Sequence, residues 1–374
     1  MMSPRYPRRP VSLSSPVLAA SLALGLALGC GTRAVAAENG LQRYSPGVGG
    51  SDMTAPLVPG WYVQMPLVAY HANKLKGNDG QQATAPTPTQ TTVTPLGTVP
   101  AQPQLRTKVG IDADTYALLP RLTYLSTTRL LGANVGFTVM LPVINRQARF
   151  TGTPDYTGST VPSLAQPLFT AGIRQRLASQ NGNEANIGDL EVSTLMHWEI
   201  GDSQSVTFAP TLVLPTGDYD AKRRVNAGYG RYYTFRPSVQ YAYIGDGWDV
   251  GARGVLSFNT RNTGTGYYSG NMFNLDWQLM KFVSDDVRVG VQGYFVRQLS
   301  GDTQDLSKFS ATDQQILAKE IVNGNKASVN AIGPAIAWLK NGGEMLLEGK
   351  FLREFNARNR TEGQAFWLTV SKPL

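Results

Sequence analysis

A hydrolytic site would need histidine, a nucleophile and a carboxylate, and this chain has only two histidines, His71 and His197. Nucleophile and base must lie within hydrogen-bond reach. On an extended segment the nearest serine on the face of His197 is Ser193, four residues and thus roughly 13 Å away. A serine on a neighbouring strand keeps a membrane-embedded hydrolase open as an alternative. Metal chemistry has less to work with. Cys30 is the single cysteine, and Asp218 and Asp220 follow Pro215-Thr216-Gly217 in a turn pattern. Gly228-Tyr229-Gly230 opens a strand rather than a helix, so it is no phosphate loop. The residues therefore assign no catalytic site, no metal and no cofactor.

The remaining polar residues are spaced by two among apolar ones. Glu191, His197 and Glu199 alternate with Leu190, Val192, Met196, Trp198 and Ile200. Arg236 alternates with Tyr233, Phe235, Val239, Tyr241 and Tyr243, while Asp249 and Arg253 alternate with Trp248, Val250, Leu256 and Phe258. Period two is the mark of a strand whose faces meet different environments. With the apolar face on lipid, Glu191, His197, Glu199, Arg236, Asp249, Arg253, Asp276, Arg288 and Gln292 point into a lumen. There they escape the roughly 2–4 kcal/mol penalty of a charge on the lipid face. Both signs occur, which predicts no strong ion selectivity. Counting register through 262–269 sets Arg253 beside Asp276, as a brace across the wall or a pair that touches substrate.

Twelve segments carry this alternation, near 60–71, 114–127, 132–145, 188–200, 204–216, 229–243, 247–261, 270–283, 285–299, 326–340, 343–356 and 362–372. Long connections, including 72–113, 146–187 and 300–325, alternate with short ones such as Gly201-Asp202-Ser203 and Asn341-Gly342. That layout predicts an all-β fold, a transmembrane antiparallel up-and-down β-barrel of about 12 strands, with periplasmic turns and long extracellular loops. Tyr233 and Tyr243 share a face ten residues apart, as do Trp248 and Phe258. At a tilt near 40° that spacing spans about 25 Å, the height of the band between aromatic girdles. Pro120, Pro210 and Pro237 fall inside proposed strands, where a closed barrel has no free edge for a residue without N–H, so bulges or breaks are expected.

Composition fits this reading. Of 374 residues 16% are charged, below the roughly 25% of soluble domains. Past the N-terminus no run of roughly 18 apolar residues could form a membrane helix. Residues 1–36 read as a signal peptide, with Arg5, Arg8 and Arg9 ahead of an apolar run and Ala34-Val35-Ala36 at the cleavage site. A lipoprotein site at Cys30 is the alternative. Cleavage after 36 removes four arginines and takes the net charge from +8 to +4, which excludes nucleic acid as the reason for a basic chain. Residues 37–59 then form an N-terminal periplasmic segment and 60–374 the barrel.

An ordered set of short motifs carries a family resemblance. Glu38-Asn39-Gly40 with Tyr44 and Gly47, Pro59-Gly60-Trp61-Tyr62, Leu214-Pro215-Thr216-Gly217-Asp218-Tyr219-Asp220, Gly247-Trp248-Asp249, Tyr268-Ser269-Gly270 with Phe273 and Asp276-Trp277, Gly333-Pro334, and Asn359-Arg360 with Glu362-Gly363 and Trp367 occur in that order. Together they resemble the outer-membrane family labelled putative MetA-pathway of phenol degradation. Gly266 departs from the family's Asp before Tyr-x-Ser-Gly, and Lys372-Pro373-Leu374 replaces the usual terminal aromatic. The resemblance implies a barrel linked to aromatic-compound degradation. Outer-membrane lipid, the barrel assembly machinery and a small-molecule substrate are the expected partners, with no oligomeric state assigned. A twelve-stranded barrel is narrower than porins that leave an aqueous channel. The expectation is a substrate-restricted channel for passive uptake of small aromatic or hydrophobic molecules, with an adhesin or structural interaction protein as the rival. Loop 72–113 is the candidate restrictor; its Thr/Pro/Gln-rich tract is equally readable as a surface tail.

Overall fold

The computed structural model describes residues 42–86, 92–94, 97–99, 105–308, 314, 326–341 and 343–374. The signal peptide, Cys30 and most of the Thr/Pro/Gln tract lie outside them. Alternating segments become β1 (Gly60–Lys76), β2 (Arg106–Leu118), β3 (Arg121–Leu130), β4 (Ala133–Met140) and β5 (Val143–Asp155). A helix, α1 (Gln166–Ala178), precedes β6 (Gly182–Ile187), β7 (Glu191–Ile200), β8 (Gln204–Val213), β9 (Thr234–Gly245) and β10 (Trp248–Asn259). The wall ends with β11 (Met272–Phe282), β12 (Val287–Gln298), β13 (Ser328–Lys340), β14 (Met345–Arg358) and β15 (Arg360–Pro373).

These fifteen segments make twelve staves, because three staves are broken in two. β2 and β3 both pair with β1, through Leu67↔Leu118 to Ala72↔Ala113 and through Gly60↔Leu125 to Gln64↔Arg121. β4 with β5, and β6 with β7, are joined end to end in the same way. Every neighbouring pair is antiparallel, and β15 returns to β1 from Tyr62↔Pro373 to Lys76↔Arg360, so the wall closes into a 12-stranded barrel. Closure removes the two free edges that an open sheet of these staves would have, and among the described wall strands β6 alone is paired on one side only. The two-residue turns Leu131-Gly132 and Asp246-Gly247 have φ of 52° and 81°, and 54° and 77°, the primed conformation that matches strand twist.

The outer face is an exposed apolar belt that includes Trp61, Met65, Leu67, Phe235, Val239, Trp248, Phe258, Ile336, Phe351 and Phe366. Tyr233 and Tyr243 both face outward on one stave, as do Trp248 and Phe258 on the next. Staves 1 to 4 overrun the sequence estimate. Residues 72–76, 106–113, 146–155 and 182–187, expected in loops, are strand. Their outward residues, such as Arg106, Lys108, Asp112 and Arg149, are polar, so the apolar alternation that marks a strand is missing. α1 was also unforeseen, although Phe169, Ile173 and Leu177 form a one-faced stripe. It packs on Ala148 and Phe150, on the inward side of β5, at the long-loop end.

Proline acts in two ways. Pro120 and Pro142 stand at stave breaks, the outcome expected for Pro120. Pro210 and Pro237 instead face each other inside continuous β8 and β9, which corrects the expectation of bulges there. Facing each other as a non-hydrogen-bonded pair, each directs its missing N–H toward the outer neighbour. The β7–β8 ladder accordingly skips from Ser193↔Thr211 to Met196↔Phe208, and β9–β10 skips from Phe235↔Phe258 to Ser238↔Val255. Each proline thus leaves one gap, on the side away from the other.

Candidate functional site

The lumen is occupied by the chain's own N-terminal part. Residues 42–59, expected as a periplasmic segment, run inside the barrel, and Tyr44, Val48, Met53 and Thr54 are buried there. Among the described residues this segment, rather than the 72–113 loop, is what narrows the lumen. Close approach to the wall requires the glycines of Gly47-Val48-Gly49-Gly50. Gly47 has φ +84°, and a Cβ on it would lie 2.8 Å from Leu352 Cδ1; a Cβ on Gly49 would lie 2.9 Å from the Asp276 carboxylate.

Wall carboxylates and cations anchor this plug. Asp276 accepts from the Tyr44 hydroxyl at 2.6 Å, from Gly47 N at 2.9 Å and from Gly49 N at 2.8 Å. Glu348 accepts from Ser51 N at 2.6 Å, while Lys350 Nζ donates to Gly49 O at 2.8 Å and pairs with Glu348 at 3.1 Å. Arg253 pairs with Asp52 at 3.1 Å, and Arg121 approaches the same carboxylate at 3.7 Å. Burial alone would raise the Asp52 carboxyl, but Arg253 and Arg121 outweigh it and hold it below the ordinary carboxylate range. Buried charges of this kind are stable only when paired and hydrogen-bonded.

Seven of the nine residues assigned from sequence to the lumen fall into this network; His197 and Glu199 do not. Arg253 and Asp276 are register partners on β10 and β11, yet they form no direct ion pair because the plug lies between them and takes both. Arg236 pairs with Glu191 and donates to Arg43 O at 2.8 Å. Asp249 binds Arg288 at 2.7 Å and accepts from Gln278, and Gln292 donates to Glu348 at 2.7 Å. His197 is buried with Nδ1 2.8 Å from the Thr207 hydroxyl. Glu199 is exposed at the short-turn rim. Tyr44, Asp52, Glu348 and Lys350 escaped the sequence reading; the run of three glycines around Val48 was the available signal. His71, Asp112 and Asp114 also cluster, with His71 Nδ1 2.9 Å from Asp114, but on the outward face.

The plug separates two cavities. The lower, of about 170 Å³, has a mixed lining in which Asp52, Gln64, Arg121, Ser193, His197 and Arg253 stand beside Met140, Leu195 and Leu346. The upper, of about 150 Å³, has ring walls from Tyr70, Tyr229, Tyr294 and Trp367, with Val68, Leu119 and Ile144. Leu119, Pro142 and Asp189, which mark the three stave breaks, line it too. Single hydrogen bonds bridge the wall at that level: Leu119 N to Pro66 O at 2.9 Å, Leu141 N to Pro120 O at 3.3 Å and Gly188 N to Pro142 O at 2.7 Å. An aromatic cavity therefore backs onto a seam in the wall.

Comparison with known proteins agrees with the fold. The family model described as "Putative MetA-pathway of phenol degradation" matches residues 73–370. No curated protein matches the chain. Among solved structures, an outer-membrane channel from Pseudomonas putida F1 is 10% identical over 86% of this chain and 97% of its own, with a TM-score of 0.59. The translocator domain of the autotransporter NalP from Neisseria meningitidis is 9% identical over 87% and 92%, with a TM-score of 0.43. The CymD monoaromatic hydrocarbon channel is 8% identical over 92% and 98%, with a TM-score of 0.38.

Proposed function

Since this chain belongs to the family described as the putative MetA-pathway of phenol degradation, we propose that it is an outer-membrane channel for passive uptake of small aromatic or hydrophobic molecules. In this reading the N-terminal signal directs export, the assembly machinery inserts the barrel, and the short turns face the periplasm. The upper cavity carries the proposal. Its five aromatic rings, Tyr44 of the plug included, and its aliphatic lining suit a flat apolar molecule, and the bonded network around Asp276 and Glu348 blocks the axial path below it. The seam is the short way out, because one hydrogen bond spans each stave junction where a regular antiparallel ladder over the same stretch would hold two, and three such junctions lie side by side. Nothing in this passage needs catalysis, and purified protein is expected to leave lipid intact.

Uptake tests the reading directly. Cells lacking the protein should accumulate a labelled monoaromatic severalfold more slowly, with wild-type protein restoring the rate. Unchanged uptake on deletion would reject the channel.

A further inference from the structure

The upper cavity contains a buried cation whose charge no carboxylate among the described residues balances. Six charged residues line it: Arg43, Arg146, Arg360, Asp189, Glu191 and Glu354. Five of them are spoken for. Arg43 pairs with Asp189 at 3.0 Å, Arg360 with Glu354 at 3.3 Å, and Glu191 with Arg236. Arg146, 8% exposed, has no carboxylate partner among the described residues. Its NH1 donates to Asn226 O at 2.5 Å, its guanidinium lies 5.4 Å from the Tyr229 ring centroid, and its Nε is buried without a partner. Glu184, directly across the ladder, is held by Arg223 at 2.6 Å. A second donor in the same cavity wall is also unspent: Trp367 is 2% exposed, and its indole N–H has no acceptor.

Buried cations are normally paired, and an indole N–H or a guanidinium can only donate. What the cavity lacks is therefore an acceptor with negative charge, set among aromatic rings. We infer that the upper cavity binds a small aromatic carboxylate, its carboxylate on Arg146 and its ring among Tyr70, Tyr229, Tyr294 and Trp367. The inference rests on the channel reading and narrows its substrate: a neutral hydrocarbon would fill the rings but leave Arg146 unpaired.

Calorimetric titration of purified, detergent-solubilised full-length protein tests it, with benzoate, neutral benzamide and acetate as probes. Benzoate should bind at least tenfold more tightly than either control. Arg146→Gln should erase the preference over benzamide while leaving benzamide affinity within about twofold, and Arg146→Lys should keep most of it. The Lys variant separates loss of charge from loss of fold. Equal affinity for benzoate and benzamide in the wild type, or a preference that survives Arg146→Gln, would overturn the assignment of charge; acetate binding as tightly as benzoate would overturn the aromatic part. If neither benzoate nor benzamide binds and cellular uptake is also unaffected by deletion, the channel reading itself fails.

Discussion

The two halves of the wall treat their backbones differently. Between β1 and β7, three consecutive staves break at Pro120, at Pro142 and at Gly188 to Leu190, and the upper cavity lies against the breaks. From β9 to β15 each stave is one segment, although its ladders carry a register shift at Ser328/Asn330 and gaps opposite Pro237 and at Gly333-Pro334. The plug docks almost wholly on this regular half, through Gln240, Arg253, Asp276, Gln278, Arg288, Glu348 and Lys350. Among the described residues the broken half adds Arg121, at the start of β3, Asp189, at a break, and Tyr62, whose hydroxyl bonds the Val58 backbone. An unbroken ladder fixes side chains well enough to anchor a segment by specific bonds. A ladder with gaps can spread at low cost. The barrel thus separates a half that holds from a half that can yield.

The largest effect should come from cutting the anchor. Asp276→Ala removes the acceptor for Tyr44, Gly47 and Gly49 and leaves Arg253 with less countercharge. Removing one partner from a buried charged network typically costs about 3–5 kcal/mol. In planar bilayers the variant should pass at least tenfold more current than wild type, and its heat-induced unfolding on gels should begin at lower temperature. A current as small as the wild type's would mean that the regular half is not the anchor.

A smaller opening is expected from Gly47→Ala. At φ +84° a side chain costs about 1–2 kcal/mol, and this one also meets Leu352 and Tyr294. Brief openings in single-channel records, with a closed state that still predominates, are the expected signature. Permanent opening would show that Gly47 does more than permit close approach.

The halves also differed in how legible they were. β10 to β15 could be placed within about two residues, because each alternates from girdle to girdle and ends at a short turn, with Trp248 and Phe258 marking both limits of one stave; β9 begins five residues later than expected. The broken half hid its length, since above the belt Arg106, Lys108, Asp112 and Arg149 replace the apolar outward residues. Register was readable to the pair, as Arg253↔Asp276 demonstrates, but the partners of that pair were not. Tyr44 and Asp52 lie more than 190 residues from the side chains they bond, and no periodicity links a plug to its wall. Pro210 and Pro237 were visible as prolines, while their mutual facing followed only from register.

Pro142→Ala probes the yielding half. The substitution supplies an N–H at the β4–β5 junction, where the wall now relies on Gly188 N to Pro142 O and Leu141 N to Pro120 O. If the break serves passage, uptake of a monoaromatic should fall about twofold while ionic current stays at the wild-type level. The opposite pattern, altered current with unchanged uptake, would place the route along the barrel axis and erase the functional contrast between halves.

The smallest effect belongs to Pro210→Ala, and its sign is the informative part. Pro210 lies opposite Pro237, so neither N–H would have bonded across that pair; the bond lost at Pro210 is the one toward β7, where the ladder skips Thr194. Alanine restores a donor there, worth about 0.5–1.5 kcal/mol for an ordinary backbone bond. The melting temperature should therefore rise by a few degrees, with uptake and current unchanged, because Pro210 lies on the outward face of β8, short of the end that meets the seam and away from the main plug anchors. A drop in stability would mean that the fixed φ of proline matters more at this site than its missing N–H. A change in uptake would extend the yielding half past β7, and the boundary drawn from the three stave breaks would have to move.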